Sequence, residues 1–438
     1  MARTPSIDIR GELSSLVPAP RLKELARETG AVQRERKVRI VDLFWTLVLG
    51  FGTGKAKTFA GLLRMYKGAT GRSIVPSSFW DRFTPKLARF VKRVAEEVMA
   101  KVCEGRSDLR GSLEGFRDLV VADATVIRLH DLLKKAFAGC RTNHSKAAAK
   151  LHVVMSVLAE GPRKVKLTSG RTHDIKAFEI GPWVKDRLLL FDLGYYKFQL
   201  FDCIRRNGGY FVSRMKENAN PKIVAVHGSG GKTLVGRRLQ DVLLHLRRDV
   251  LDATVEVRFF RRTYAGKETR TTARFRLVAV RNPETKTYHL YITNVPLERL
   301  DAKAVAVTYR ARWVVELLFA EMKGSYGLDQ IPSRKKEAVE TFIWTAVITL
   351  MASRRLLDAV RRKKRNEAHR MSPTRWARVF RAYVSDILKI LLEPLRHARR
   401  LSRRIGKALL EEAVDPHVRR PGLVDKAQNA TLPCPAES

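Results

Sequence analysis

The chain predicts an α/β fold carrying a β-rich insertion and flanked by helical N- and C-terminal regions. Three observations lead there. Between Leu119 and Met215, short apolar runs alternate with helical stretches, and two of those runs end on aspartate or pass through it. From Lys216 to Arg299, strand patterns replace helical ones. Both ends of the chain read as helix and are rich in arginine and lysine.

Composition frames the reading. At 438 residues the chain is too long for one ordinary core, so two to four domains are expected. Hydrophobic residues at 45% and aromatics at 8% suffice for packed interiors. The formal charge is +41, from 85 Lys and Arg against 44 Asp and Glu. Such a surplus calls for a polyanionic partner, nucleic acid before a membrane surface. No uncharged apolar run reaches spanning length: the best candidate, Val41 to Gly52, is too short and includes Asp42. Ala2 to Arg10 lacks the apolar core of a signal peptide. Cys103, Cys140, Cys203 and Cys434 show no paired spacing, which argues for a reducing compartment and against a zinc module. Cys140 and His144 would stand one turn apart on a helix, but two ligands are not a site.

The first hundred residues read as helices. Arg21 to Thr29 is short and polar, and Val41 to Leu49 is apolar. The break Gly50-Phe51-Gly52-Thr53-Gly54-Lys55 follows. Thr58 to Tyr66 is amphipathic and ends at Gly68 and Gly71. Ser77 or Ser78 caps Phe79 to Val102, where Trp80, Phe83, Leu87, Phe90 and Val91 recur at helical spacing. With Arg82, Lys86, Arg89, Lys92 and Arg93 outside, this region suits a DNA-docking helical domain or a helical bundle with a basic exterior.

Strands are expected at Leu119–Val126, Leu151–Leu158, Lys164–Thr168, Leu188–Asp192 and Tyr210–Met215. Helices are expected from Asp174 to about Lys185 and over Phe198–Arg206. Insertion strands follow at Val255–Phe260, Ala273–Val280 and Tyr288–Ile292. Ser229-Gly230-Gly231-Lys232-Thr233 superficially resembles a phosphate loop. It lacks the first glycine and a following helix, and reads as a surface turn. A helix at Val339–Met351 leads into a basic tail. Arg354, Arg355, Arg361, Arg362, Lys363, Lys364 and Arg365 crowd its first part, and Arg396, Arg399, Arg400, Arg403 and Arg404 its second. From Val414 onward, proline and polar residues suggest a loosely ordered end.

The densest chemistry lies in Tyr309-Arg310-Ala311-Arg312-Trp313-Val314-Val315-Glu316, running on to Lys323. With no proline or glycine from Asp301 to Lys323, one helix is expected. Tyr309, Arg312, Glu316 and Lys323 then fall within about 60° of one another on its surface. Glu321 is rotated off that stripe, so Glu316 is the expected acid and replacement of Glu321 is expected to be mild. Asp123 and Asp192 each follow an apolar run, at a sheet edge where a cleft can form. Asp118, Asp131, Asp174, Asp186 and Asp202 compete with them. If Asp123, Asp192 and Glu316 converge, their oxygens suit two Mg²⁺ or Mn²⁺ ions about 3.5–4 Å apart, and hence in-line displacement at phosphorus.

Tyr309-x2-Arg312-x3-Glu316-x6-Lys323 resembles the signature of the insertion-sequence-four family of bacterial DDE transposases. Asp123-Ala124-Thr125 and Asp192-x-Gly194-Tyr195 resemble the family's two aspartate segments. Gly170-x2-His173-Asp174 is similar to a segment common between them. The resemblance covers about residues 118 to 350. It implies an RNase H-like catalytic core, split over 113–218 and 303–350, with the β-rich insertion at 219–302. A helical DNA-binding region at 1–112 and a basic helical region at 351–438 flank it. Asp123, Asp192 and Glu316 are then the catalytic metal ligands, and Tyr309, Arg312 and Lys323 bind DNA phosphates near the cut.

The partners implied are transposon terminal inverted repeats and target double-stranded DNA, within a synaptic dimer and away from any membrane. The compartment implied is the bacterial cytoplasm, at the nucleoid. A nuclease without strand transfer and a silent DNA-binding descendant are the alternatives. One departure stands out. Relatives that open flanking DNA through a hairpin stack a flipped base on an insertion tryptophan, and here none lies between Trp183 and Trp313. Phe259, Phe260, Tyr264, Tyr288 and Tyr291 are the aromatic substitutes.

Overall fold

The computed structural model describes residues 6–35, 38–103, 109–140, 146–228, 232–262, 268–329, 331–417 and 421–430. His144, Ser229–Gly231 and Tyr264 therefore lie outside the described residues.

Six helices come first: α1 (Ile9–Leu16), α2 (Ala19–Glu28), α3 (Ile40–Thr46), α4 (Phe59–Thr70), α5 (Pro76–Trp80) and α6 (Pro85–Cys103). Helix α3 runs on through a π-helical turn at Leu47–Phe51. Helix α4 passes Gly68 and stops at Gly71, whose φ of 67° is the left-handed conformation that glycine adopts without cost. The helix expected from Phe79 to Val102 is two helices. Pro76 opens the short one, and a break at 81–84 precedes Pro85, where Thr84 Oγ1 accepts the Leu87 amide.

The sheet begins with β1 (Asp118–Arg128), β2 (Ala148–Ser156) and β3 (Gly161–Ser169). A single turn α7 (Asp174–Ala177) follows, where a helix to Lys185 was expected; the Gly181-Pro182 pair breaks the pattern. Then come β4 (Arg187–Phe191), α8 (Phe198–Arg206) and β5 (Tyr210–Arg214). The insertion supplies β6 (Lys222–His227), α9 (Leu239–His245), β7 (Val250–Arg262), β8 (Glu268–Arg281) and β9 (Tyr288–Thr293). All nine described strands form one sheet in the order β3-β2-β1-β4-β5-β9-β8-β7-β6. β4 and β5 run parallel to β1, whereas β2 pairs antiparallel with it. Antiparallel pairing of β9 with β5 makes the insertion an extension of the core sheet.

Alternation along the central strands divides two cores. Leu119, Val121, Leu188 and Leu190 face a core shared with α1–α6 and the C-terminal helices. Val120, Ala122, Leu189 and Phe191 face the other, with Phe201, Phe211 and Phe275. The chain returns through α10 (Ala302–Arg310) and α11 (Val314–Ser325) to α12 (Lys336–Lys363), α13 (Pro373–Leu392), α14 (Leu395–Glu412) and α15 (Leu423–Gln428). Helix α12 is buried along most of its length and packs on α6. No helix among the described residues is long and apolar enough to cross a membrane.

Several cations of the basic tail are taken up in ion pairs, Arg354 fully buried and Arg362 at the surface. Arg354 pairs with Glu321 and donates to the Glu160 carbonyl. Arg361 pairs with the Glu160 carboxylate, and both Arg355 and Arg362 pair with Glu12. These four arginines tie α12 to α1, the β2–β3 turn and α11. On α14 the contrast is plain. Arg396, Arg399, Arg400, Arg403 and Arg404 lie exposed, while Ala398, Ile405, Leu409 and Leu410 point inward.

Candidate active site

Asp123 lies where β1 loses its parallel neighbour. The β1–β4 register pairs Val121 with Leu190, and β4 stops one residue later. Two more steps of that register bring Asp192 beside Asp123. Asp123 shares the strand parity of Leu119 and Val121, so it faces the core side on which α11 packs. Its Oδ1 accepts the Ala124 amide at 2.7 Å. Asp192 caps a 3₁₀ turn at Leu193–Tyr195, where its Oδ1 accepts the Gly194 amide at 2.8 Å.

The segment from Tyr309 to Lys323, expected as one helix, is broken. Helix α10 ends at Arg310, Ala311–Trp313 form a 3₁₀ turn, and α11 begins at Val314. Asp301 caps α10 by accepting the Ala304 amide. The linker before it is held by buried Arg276, which pairs with Asp252 and donates to the carbonyls of Val295 and Leu300. Despite the 3₁₀ turn, Arg312 and Glu316 still meet. The Arg312 Nη2 donates to Glu316 Oε1 at 2.6 Å, and its Nη1 lies 3.6 Å from Asp123 Oδ2. One guanidinium therefore bridges an acid of the sheet and an acid of the helix.

Burial, and then the negative charges of Asp192 and Glu316, push the Asp123 carboxyl up to about 6, against the pull of the Ala124 amide and Arg312. Tyr309 stacks obliquely on Tyr291, with ring centroids 5.2 Å apart, and burial raises its phenol to about 12. It stays protonated near neutral pH and can donate a hydrogen bond. Lys323 stands on the same helix as Glu316, seven residues further on.

The competing acids have other partners. Asp118 is buried at the opposite end of β1, with burial holding its carboxyl above the usual range. Asp131 meets Lys146 on the surface. Asp174 meets Lys150 at 3.0 Å and His152 at 3.4 Å. Asp186 sits in a turn at φ 58°. Asp202 is buried among Arg205, Arg206 and Arg261. Glu321 does lie off the stripe, as expected, but it is no idle surface acid. It is closed in the pair with Arg354, with side chains 6% and 3% exposed.

The sequence pattern did not single out Arg214, which ends β5 beside the strand of Asp192 and acts on Tyr309 and Tyr291. Its place on the strand next to an acid-terminated one is the signal that points to it. Of the aromatic substitutes, Phe259 and Tyr291 are buried, and the Tyr288 hydroxyl donates to the Leu246 and Arg248 carbonyls. Phe260 remains exposed at 48%.

Among the described residues, no three acid, histidine or cysteine side chains close around a single point. Arg312 stands between two of the three acids instead. Arg312 balances Asp123 and Glu316 only, and burial first, with the charges of Asp192 and Glu316 behind it, holds the Asp123 carboxyl raised. Hard oxygen donors with uncompensated charge fit divalent cations of the Mg²⁺ type.

Two aspartates where the parallel pairing of β1 and β4 stops, and a helix carboxylate bridged to one of them by Arg312, make an acid site of the kind that suits hard cations and phosphates. The chain belongs to the DDE transposases: the transposase DDE domain model matches residues 114–352, over half its length, and spans Asp123, Asp192 and Glu316. It is 23% identical over 402 residues to the transposase for insertion sequence element IS231F of Bacillus thuringiensis subsp. israelensis, covering 81% of this chain and 82% of that one. With the IS1151 transposase of Clostridium perfringens it shares 20% over 370 residues, 76% of either chain. A structure of the piggyBac transposase synaptic complex with hairpin DNA aligns over 95% of this chain and 87% of that one, at 10% identity and a TM-score of 0.49.

Proposed function

We propose that the protein cuts the ends of an insertion sequence and joins the freed 3′-hydroxyl to target DNA, with Asp123, Asp192 and Glu316 as the catalytic acids. The observation that carries this is the Arg312 bridge between Asp123 and Glu316, with Asp192 one strand away. The core is RNase H-like. Its order β3-β2-β1-β4-β5, with β4 and β5 parallel to β1, supports that reading. The acids would hold two Mg²⁺ or Mn²⁺ ions, which when bound supply Lewis acidity at the attacking and leaving oxygens.

The chain's own groups do the positioning. Arg312 offers a planar fork to two phosphate oxygens. The Tyr309 hydroxyl keeps its proton and donates to a phosphate. Lys323 adds a point charge further along α11. The four-position match supports placement in the insertion-sequence-four family. The N-terminal helices and the basic C-terminal region are read as DNA-binding, the partners as terminal inverted repeats and target DNA in a synaptic dimer, and the location as the bacterial nucleoid. The test is incubation with a duplex bearing the flanking inverted repeat, a target plasmid and Mg²⁺. Nicked ends together with joined products support the proposal; nicks without joining leave a nuclease.

A further inference from the structure

We infer that Lys323 shares one DNA phosphate with Lys57 of the N-terminal region and Arg381 of α13, in a recess outside the acid site. The inference rests on the transposase reading and adds a binding site built from three distant segments.

The recess has a volume of about 130 Å³ and is lined by Lys57, Lys323 and Arg381, with Asp329 as its acid. Gly54, Ser325 and Gly327 complete the wall. The glycine-rich break after α3 explains why so small a space exists there. A Cβ on Gly52 would lie 1.8 Å from Thr349 Oγ1, so only glycine lets this turn press against α12. The turn is then held from the other side, where Arg381 Nε donates to the Thr53 carbonyl at 3.0 Å. The two cations converge on the next glycine. A Cβ on Gly54 would lie 3.6 Å from Lys57 Cε and 3.7 Å from Arg381 Nη2.

Three cations against one acid leave the recess positive, and Arg128 adds repulsion on Lys323. Burial and that repulsion lower the Lys323 ammonium, whereas Asp329 raises it. A tetrahedral dianion or phosphodiester fits both the charge and the size. The fixed distance from the acids selects DNA over free phosphate. Seven residues of α11 separate Lys323 from Glu316, roughly 10 Å along the helix. At about 3.4 Å per nucleotide along one strand, that is on the order of three nucleotides from the scissile bond. One strand crossing the acids would therefore reach the recess without bending.

The experiment uses the full chain and end duplexes bearing one neutral methylphosphonate, walked outward from the cleavage position. Equilibrium binding is measured across a salt series. For the unaltered protein, neutralising one phosphate about three nucleotides away should weaken binding roughly fivefold to tenfold. In Lys57→Gln and in Lys323→Gln that position should lose its effect. The salt slope should fall by about 0.9 in each, and by about the same in the double variant. Lys57→Arg should restore both, which separates charge from folding. Inorganic phosphate at millimolar concentration should compete weakly. Unchanged methylphosphonate sensitivity in Lys57→Gln, with cleavage still dependent on the acids, would overturn the shared seat and leave the transposase reading standing. A chain that binds no end duplex at all would overturn both.

Discussion

Arg312 donates to Glu316 at 2.6 Å while reaching toward Asp123, so the helix carries its own counter-ion into the acid site. The two acids are thus held together by one guanidinium, which the proposed function would turn toward a DNA phosphate.

Arg312→Gln should destabilise the metal-free protein, and Asp123→Asn should stabilise it at neutral pH. The folded Asp123 carboxyl is raised to about 6 from an ordinary value of 3.8. The folded state therefore binds more protons between those values, and stability falls as pH rises through them. A shift of that size is worth roughly 1–3 kcal/mol for a group this sheltered. Thermal melts between pH 4 and 8 without metal read it directly. In Asp123→Asn that part of the pH slope should disappear.

Arg312→Lys keeps the charge but loses the fork. Strand cleavage should drop by at least about tenfold, with end binding changed far less. Lys323→Arg should cleave nearly as the unaltered protein does. Cleavage and binding measured side by side at one salt concentration decide this. Full activity in Arg312→Lys would reduce its role to pairing with Glu316.

Glu321→Gln reads differently in structure than in sequence. Helical rotation alone makes Glu321 a mild control. In the fold, Arg354 would be left buried with its carboxylate partner neutralised, at a cost of about 3–5 kcal/mol if the pair is broken. The same arginine lies beside a network in which Tyr326 donates to Ser353, and Trp376 donates to it as well. The expected outcome is a lowered melting temperature with cleavage retained by whatever remains folded. A melt like that of the unaltered protein would contradict it.

Those differences show where sequence stops. The central strands leading into Asp123 and Asp192 were legible because strands buried on both faces must be apolar, which makes the acid after each apolar run conspicuous. The long insertion strands were legible by alternation. The 3₁₀ turn at Ala311–Trp313 was not, since it exchanges one backbone hydrogen-bond register for another without needing a special residue. The edge strand at Lys222–His227 fully buries only Ile223, too little for a pattern. The partners of Arg354, Arg355, Arg361 and Arg362 lie 33 to 350 residues away and belong to tertiary packing. Charge counting alone could not separate these fasteners from the exposed arginines of α14.

DNA affinity should depend steeply on salt, and α14 should carry a large share of that dependence. Arg399, Arg400, Arg403 and Arg404 are exposed on one face of it. Replacing all four by Gln should flatten the slope of log affinity against log salt by about 0.9 for each phosphate that these arginines neutralise. Removing Arg355 and Arg362, already paired with Glu12, should cost stability before it costs slope.

The most direct test of the central claim is cleavage of a labelled end duplex in Mg²⁺ by Asp123→Asn, Asp192→Asn and Glu316→Gln, with binding followed in parallel. Each change keeps the size of the side chain and removes one anionic oxygen donor. The account predicts that every one of the three abolishes strand cleavage while end binding survives. Cleavage at the unaltered rate by Glu316→Gln, or by either asparagine variant, would contradict it.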